Sequence, residues 1–297
     1  MIDLHIHTTY SDGADSLMEV LEKAEQKKLE YISITDHDNC NAYMELKNIN
    51  VKKYYNGNII PGIEIKCAHK GRLIEILGYK INVDLMKKWC DAFYKDRTKD
   101  ILQQKYFDML YQKCLQMNLT MNDKNEVVFD NKKDWASMAI YTEIKKHPEN
   151  AKKVPEDFWG DFNTFSKKYC GDKNNILYID KSVDYPSVYE AIEAVKKSGG
   201  LVFLPHLFIY KWADNIYDLI EEILGTYIID GIECYHSEFN NDNIEYLKKL
   251  CHERKFLMSG GSDYHGINKP KIEMAVGRGN LQIPLEIINE WKDLWND

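Results

Sequence analysis

The feature that most constrains the fold is a succession of short β-rich runs, most of which are followed by a segment of helical periodicity. Ser16 opens the first predicted helix, where Glu19 stands at the spacing of a capping box. The predicted strands are residues 2–7, 31–35, 59–65, 75–79, 201–205, 231–235 and 256–259. A turn at Lys70 and Gly71 favours a hairpin between the third and fourth of these strands, and a short helix is predicted at residues 285–295. Strands that alternate with helices in this way predict a largely parallel α/β arrangement, either open or closed into a barrel.

One long segment interrupts this succession. Residues 84–180 are rich in charged and aromatic residues, have helical periodicity and contain no clear strand. We therefore predict a helical insertion or cap at 84–180, beside an α/β unit made of residues 1–83 and 181–297. The aromatic residues of the insertion are expected to form a packed helical face.

The charge balance limits the partners that the chain can bind. Its formal net charge is −8, and its Arg residues are Arg72, Arg97, Arg254 and Arg278. Such an acidic chain lacks the basic track that long duplex nucleic acid requires. A small phosphorylated substrate, such as a nucleotide, or a short oligonucleotide fits the balance better.

Other features predict a cytoplasmic protein. The first residues lack the basic and apolar regions of a signal peptide, and no apolar run reaches the roughly 18 residues that span a bilayer. The seven Cys residues form no C-x-x-C pair, which is expected of reduced thiols. We therefore expect no membrane contact, while the oligomeric state stays open.

Histidine and acidic residues gather where the predicted strands end. Six of the nine His residues lie at or just beyond a strand end, whereas His69, His147 and His252 lie in turns or helices. Because parallel strands end on one face of an α/β fold, we expect the polar residues at these ends to meet in a single site. Its candidate members are His5, His7, His37, Glu64, His206, His236, Asp263 and His265.

This combination of residue types predicts a metal centre. Imidazole and carboxylate ligands without thiolate favour zinc, manganese or iron, with magnesium as a further candidate. More ligands than one ion can use imply two to three divalent ions, and paired ions are suited to phosphoryl chemistry.

Five motifs resemble those of the PHP family, named for polymerase and histidinol phosphatase. They are DLHIHTTYSDG at residues 3–13, ITDHD at 34–38, GIEI at 62–65, PH at 205–206 and GGSDYHG at 260–266. The resemblance implies a distorted (β/α)7 barrel with a three-metal site. By the same resemblance, His5, His7, Glu64 and Asp263 would hold one ion, Asp12, His37 and His265 a second, and Glu64 with His206 a third.

The chain departs from the family pattern at Glu75, where the similar branch usually has His. Either the Glu75 carboxylate binds the third ion and favours harder metals such as manganese or iron, or it turns away and leaves that site weak or empty.

The resemblance further implies hydrolysis of a phosphomonoester by a metal-bridging hydroxide, and it is strongest to the branch that acts on nucleotides or trims the 5′ ends of short RNA. His236 is a candidate for protonating the leaving group or binding phosphate, and Arg97 for clamping phosphate; the alternatives are a structural role for His236 and a solvated helix-surface position for Arg97. Asp36 and Asp38 are candidates for orienting the ligating imidazoles. The alternatives are a histidinol-phosphate phosphatase, a 5′-3′ exonuclease on short oligonucleotides, and a metal-binding regulatory module with weakened catalysis.

Overall fold

The computed structural model describes residues 1–293, which form a mixed α/β protein. The strands are β1 Ile2–Ile6, β2 Tyr31–Ile34, β3 Asn58–Ile59, β4 Gly62–His69, β5 Arg72–Tyr79, β6 Leu201–Leu204, β7 Gly231–His236 and β8 Leu257–Gly261. The helices are α1 Leu17–Gln26, α2 Asn41–Leu46, α3 Val83–Tyr94, α4 Lys99–Gln116, α5 Ala136–Lys145, α6 Glu156–Trp159, α7 Phe162–Thr164, α8 Val188–Lys197, α9 Ile216–Thr226 and α10 Asn241–Arg254. None of the helices described is long and apolar enough to cross a membrane.

The strands form two sheets. Strands β1, β2 and β3 make a parallel sheet, and β4 to β8 make a second sheet in chain order. In the second sheet β6, β7 and β8 are parallel, but β5 is antiparallel to both of its neighbours. The hairpin predicted between the third and fourth strand runs is confirmed, because β4 and β5 pair in antiparallel fashion through the turn at Lys70 and Gly71. The largely parallel arrangement expected from the sequence is wrong where β5 also pairs in antiparallel fashion with β6.

One predicted strand is two strands in the structure. Residues 59–65 divide at Ile60 and Pro61 into the end of β3 and the start of β4. Proline has no backbone N–H to give to a neighbouring strand, which explains why regular pairing stops there. The chain described thus has eight strands, where the sequence predicted about seven.

Two isolated bridges connect the sheets at the ends that carry the polar motifs. Ile6 pairs with Tyr264, and His37 pairs with Glu64. The backbone N–H of His7 donates to the carbonyl of Tyr264 at 2.9 Å, which fixes β1 against the segment after β8. A closed barrel of seven strands stays a prediction, because the sheet pairing by itself does not show it.

The buried carboxylate of Asp3 also joins the start of the chain to this later segment. It accepts hydrogen bonds from the N–H of Ser262 at 2.9 Å and from the N–H of Ala275 at 2.7 Å. The Ser262 hydroxyl donates to the same carboxylate at 2.5 Å. A buried carboxylate needs this number of donors to offset its loss of water.

The start of the first helix agrees with the sequence prediction. The capping box of Ser16 and Glu19 is confirmed at the start of α1, and the helix buries Leu17, Val20, Leu21 and Ala24. At the other end of the chain, a helix expected at residues 285–295 is replaced by a short 3-10 turn, Leu285–Ile288. The last two residues of that prediction lie outside the described residues.

The chain divides into two compact units. One contains Met1–Ala92 with the residues from Tyr185 onward, and the other contains Phe93–Asp184. The second unit is helical and has a core of its own, in which aromatic side chains such as Phe107, Phe158 and Phe165 are buried. The limits predicted at residues 84 and 180 stay predictions.

Candidate metal centre

The predicted strand ends bring their polar side chains together in the first unit. His5 lies on β1, Glu64 on β4 and Glu75 on β5, while His236 ends β7. The remaining members follow strands: His7 after β1, His37 after β2, His206 after β6, and Asp263 and His265 after β8. Most of these side chains are buried, although charged and polar side chains usually lie at the protein surface.

Glu64 lies at the middle of the group. Its Oε2 is 3.2 Å from His5 Nε2, 3.2 Å from His7 Nε2 and 3.2 Å from His37 Nδ1. Its Oε1 is 2.8 Å from His206 Nε2. One fully buried carboxylate thus faces four imidazoles that come from three different strand ends.

Asp263 forms a second meeting point. Its Oδ1 is 3.4 Å from His7 Nε2, 3.8 Å from His5 Nε2 and 3.4 Å from His265 Nδ1. Its Oδ2 is 3.5 Å from His236 Nε2 and 2.5 Å from Lys269 Nζ. The left-handed backbone at Asp263, with φ of 58°, turns this side chain back toward β1.

Asp12 lies at the open edge of the group, with a side chain that is 52% exposed. Its Oδ1 is 3.0 Å from His265 Nε2 and 3.5 Å from His7 Nδ1, and its Oδ2 is 3.6 Å from His37 Nε2. This edge is where a substrate could reach an ion.

Glu75 points into the group, not away from it. Its Oε2 is 3.2 Å from His206 Nε2, and its Oε1 is 3.8 Å from both His37 Nδ1 and Lys66 Nζ. The hydroxyl oxygen of Tyr210 accepts from the Glu75 backbone N–H at 2.9 Å. The position suits a metal ligand, but ligation by Glu75 stays a prediction.

Three sets of donor atoms lie close enough together to hold an ion. They are His7, Asp12, His37 and His265; His5, His7 and Glu64; and His37, Glu64 and Glu75. These sets resemble the ligand sets expected from the sequence, with three differences. His7 joins the set of Asp12, His37 and His265. Asp263 is not in the set of His5, His7 and Glu64, and His37 stands in the third set where His206 was expected.

Several donor atoms in the centre have no hydrogen-bond partner within the described residues. They are His5 Nε2, His7 Nε2, His37 Nδ1, His206 Nδ1 and His236 Nε2. An unpaired buried nitrogen costs free energy, and five such atoms in one place are uncommon in a folded protein. Divalent cations would satisfy imidazole nitrogens that point into the group.

The electrostatics also favour cations. Burial raises the pKa of Glu64, but His5 and His37 outweigh it and hold this pKa well below its ordinary value. Burial lowers the pKa of His7, yet the neighbouring carboxylates of Asp263 and Glu64 raise it to about 9. Burial dominates at His37 and lowers its pKa to about 4. The imidazoles thus act as substitute partners for buried carboxylates, which is the role that metal ions fill in such sites.

Residues around the centre hold its ligands in place. Glu233, which sequence reasoning missed, accepts from His5 Nδ1 at 2.9 Å and from the His206 backbone N–H at 2.8 Å. A carboxylate that holds the second nitrogen of a metal-binding imidazole fixes its tautomer and its direction. A Glu inside the apolar strand run 231–235 was the one signal that could have identified it.

Asp36 has a different role from the expected one. The sequence predicted that it would orient an imidazole, but it accepts from the Thr8 N–H at 2.8 Å, the Thr8 hydroxyl at 2.7 Å and the Ser11 hydroxyl at 2.6 Å. It therefore holds the loop that carries Asp12.

The two predicted substrate-binding residues differ in their surroundings. His236 is buried beside Asp263, and its Nδ1 accepts from the Glu238 N–H at 3.1 Å. Arg97 belongs to the second unit, where its guanidinium donates to the Phe93 carbonyl at 2.6 Å and lies over the Phe93 ring. The roles of both residues stay predictions.

Sequence comparisons identify a family and individual proteins that are similar to this chain. The profile of the family described as the PHP domain matches residues 3–154. The phosphoribosyl 1,2-cyclic phosphate 1,2-diphosphodiesterase of Eggerthella lenta is 25% identical over 270 residues, which is 89% of this chain and 94% of that protein. The 5'-3' exoribonuclease Rnm of Escherichia coli K12 is 22% identical over 311 residues, which is 99% of this chain and 93% of that protein.

Solved structures share the fold. A protein from Bifidobacterium adolescentis, assigned as a metal-dependent phosphoesterase, has a TM-score of 0.59 at 20% identity and covers 97% of this chain and 94% of its own. An amidohydrolase from Chromobacterium violaceum has a TM-score of 0.59 at 18% identity and covers 90% of this chain and 88% of its own. The mixed α/β architecture around the centre is therefore a recurrent one.

Proposed function

This chain belongs to the PHP domain family, and from that membership we propose that it is a metal-dependent phosphoesterase of small phosphorylated substrates. The observation that carries the proposal is the convergence of four imidazoles on the buried carboxylate of Glu64. The Cys residues described are all free, and none belongs to the candidate donor sets. The donors are thus imidazoles and carboxylates, which suit manganese, iron or zinc.

Two to three ions would be shared among the residues of the centre. His5, His7, Glu64 and Asp263 would hold one, Asp12, His37 and His265 a second, and Glu64, Glu75 and His206 a third. When bound, such ions activate water for attack on phosphorus and neutralise the phosphoryl oxygens.

The other residues of the centre would orient and protonate. His236, whose Nε2 is 3.5 Å from Asp263 Oδ2, would bind a phosphoryl oxygen or give a proton to the departing alcohol. Asp36 and Glu233 would keep the ligands in register during turnover, since they hold the Asp12 loop and His5.

We favour a phosphomonoester, such as a nucleotide, as the substrate. The net charge of −8 disfavours long nucleic acid. A second candidate is a phosphodiester in a cyclic phosphate or at the 5′ end of a short RNA. Two relatives that match nearly the whole chain support this candidate, because they are named as a diphosphodiesterase and an exoribonuclease.

A substrate screen tests the proposal. Purified protein loaded separately with manganese, zinc, iron or magnesium would be assayed on nucleotides, sugar phosphates, histidinol phosphate, cyclic phosphates and short 5′-phosphorylated RNA. We expect metal-dependent release of phosphate or nucleotide, and its loss in Glu64→Gln. Absence of both metal binding and hydrolysis across the panel would refute the proposal, and activity only on diesters would select the second candidate.

A further inference from the structure

Lys66 is placed beside the centre by the strand on which it lies. It follows Glu64 by two residues on β4, so both side chains lie on the same face of the sheet. Across the β4–β5 hairpin, Lys66 is the register partner of Glu75. One strand pair therefore presents Glu64, Glu75 and an ammonium group to the same space.

The backbone of Lys66 is held firmly, but its ammonium is not. The N–H of Lys66 donates to Asp38 Oδ1 at 3.0 Å, and β4 is paired along its length with β5. Its Nζ lies 3.8 Å from Glu75 Oε1, and within residues 1–293 the ammonium makes no hydrogen bond. The Lys66 side chain as a whole is 32% exposed, so this residue borders solvent.

The contact between Lys66 and Glu75 is an ion pair without a hydrogen bond. A lysine side chain has a flexible four-carbon stem and could move close enough to hydrogen bond with a neighbouring carboxylate. Lys269 does so with Asp263 at 2.5 Å. Lys66 Nζ instead lies 3.8 Å from Glu75 Oε1, beyond hydrogen-bond distance. The other oxygen of Glu75 faces His206 at 3.2 Å.

We propose that Lys66 is a substrate-binding residue, whose ammonium donates hydrogen bonds to the phosphate oxygens of the substrate on the Glu75 side of the centre. The inference rests on the proposed function and adds a residue that neither the motifs nor the metal sets contain. Lysine binds phosphate as a point charge with three rotatable donors, and its free donors are available here.

The test compares Lys66→Ala, Lys66→Gln and Lys66→Arg with the wild type and with Lys249→Ala, which removes an exposed lysine of α10. Inorganic phosphate binding to the metal-loaded proteins would be measured by calorimetry, metal content by elemental analysis, and KM and kcat on the best substrate of the screen. Thermal unfolding would establish that each variant folds, and the Gln variant serves if the Ala variant does not.

We expect the Ala and Gln variants to raise the phosphate Kd and the KM about tenfold to a hundredfold, with a smaller change in kcat. Lys66→Arg should recover part of the loss, while metal content and the Lys249→Ala control stay unchanged. Unchanged phosphate affinity in an active Lys66→Ala protein would overturn the inference and leave the proposed function intact. Altered metal content in that variant would also overturn it, because Lys66 would then act on the ions. A wild type that neither binds metal nor hydrolyses any substrate would refute the proposed function itself.

Discussion

At the scale of single residues, the centre depends on side chains that never touch its middle. Glu233 is fully buried, and its two oxygens contact His5 Nδ1 and the backbone N–H of His206. It thereby couples two candidate ligands from different strand ends. Sequence reasoning identified most candidate ligands because His and acidic residues recur at strand ends. It missed Glu233, because a single Glu in an apolar strand forms no motif. Nothing in its sequence position distinguishes a residue that supports the site from a chance surface residue.

We predict that removing this support weakens metal binding. Glu233→Ala should lower the affinity for manganese or zinc about tenfold to a hundredfold, since His5 would lose its fixed tautomer and direction. Glu233→Gln, which keeps an acceptor oxygen, should have a smaller effect. Metal titration of the two variants measures this, with Glu245→Gln on the exposed side of α10 as the control. Equal affinity in Glu233→Ala and wild type would contradict the prediction.

Glu75 is the residue at which the chain departs from its family pattern, so its substitution reports on the third ion. We expect Glu75→Ala to lower the number of ions bound per chain, because the imidazoles of His37 and His206 would lose the carboxylate that lies beside them. Glu75→His should keep that ion and shift the preference from manganese toward zinc. Elemental analysis after loading with each metal distinguishes these results. If Glu75→Ala binds as many ions as the wild type, Glu75 is not a ligand.

At the scale of elements, the sequence predicted the strand positions and the β4–β5 hairpin, but not the antiparallel pairing of β5 with β6. The helix start at Ser16 and the strands that carry the ligands were readable, because capping residues and apolar runs are local signals. The antiparallel pairing of β5 with β6 was not readable, since it depends on which strands pair in space. The pairing of His37 with Glu64 was likewise invisible, although it brings two ligands together.

The loop after β1 gives a test at this scale. A Cβ on Gly13 would lie 2.4 Å from the His7 carbonyl oxygen and 2.8 Å from the Thr8 nitrogen, both of them backbone atoms. Gly13→Ala must therefore move the loop and Asp12 with it. We expect a loss of stability of about 1–3 kcal/mol, together with weaker metal binding.

Chemical denaturation and metal titration measure these two effects. Gly225→Ala is the matched control, because a Cβ there meets nothing within 4 Å and Ala favours the helix α9. Wild-type metal affinity in Gly13→Ala would show that the loop can shift without disturbing Asp12.

At the scale of the whole molecule, the centre concentrates buried carboxylates and imidazoles that oppose folding unless they are paired. Ions that bind the folded chain and not the unfolded chain stabilise it by about 2.7 kcal/mol when present at a hundred times Kd. We therefore predict that chelation lowers the unfolding temperature by about 5–10 °C. Calorimetry with and without chelator measures the shift.

The Glu64→Gln variant is the control for chelation, since it lacks the carboxylate shared by the sets around His5 and His37. Its unfolding temperature should respond much less to chelator than that of the wild type. An unchanged wild-type temperature, after analysis shows that the metal has been removed, would mean that the ions contribute nothing to folding.

The hydrogen bonds of the Asp3 carboxylate affect the order in which the chain can fold during synthesis. Its partners Ser262 and Ala275 lie more than 250 residues later, as do the Tyr264 contacts of the first strand. During synthesis β1 leaves the ribosome before the segment after β8 and can pair with β2, but its other edge stays open until that segment emerges. Contacts of such long separation form late and slowly. The two candidate ligand histidines of β1 and its following loop thus wait for their later partners, and the proposed metal centre can be completed only after the segment that follows β8 has emerged.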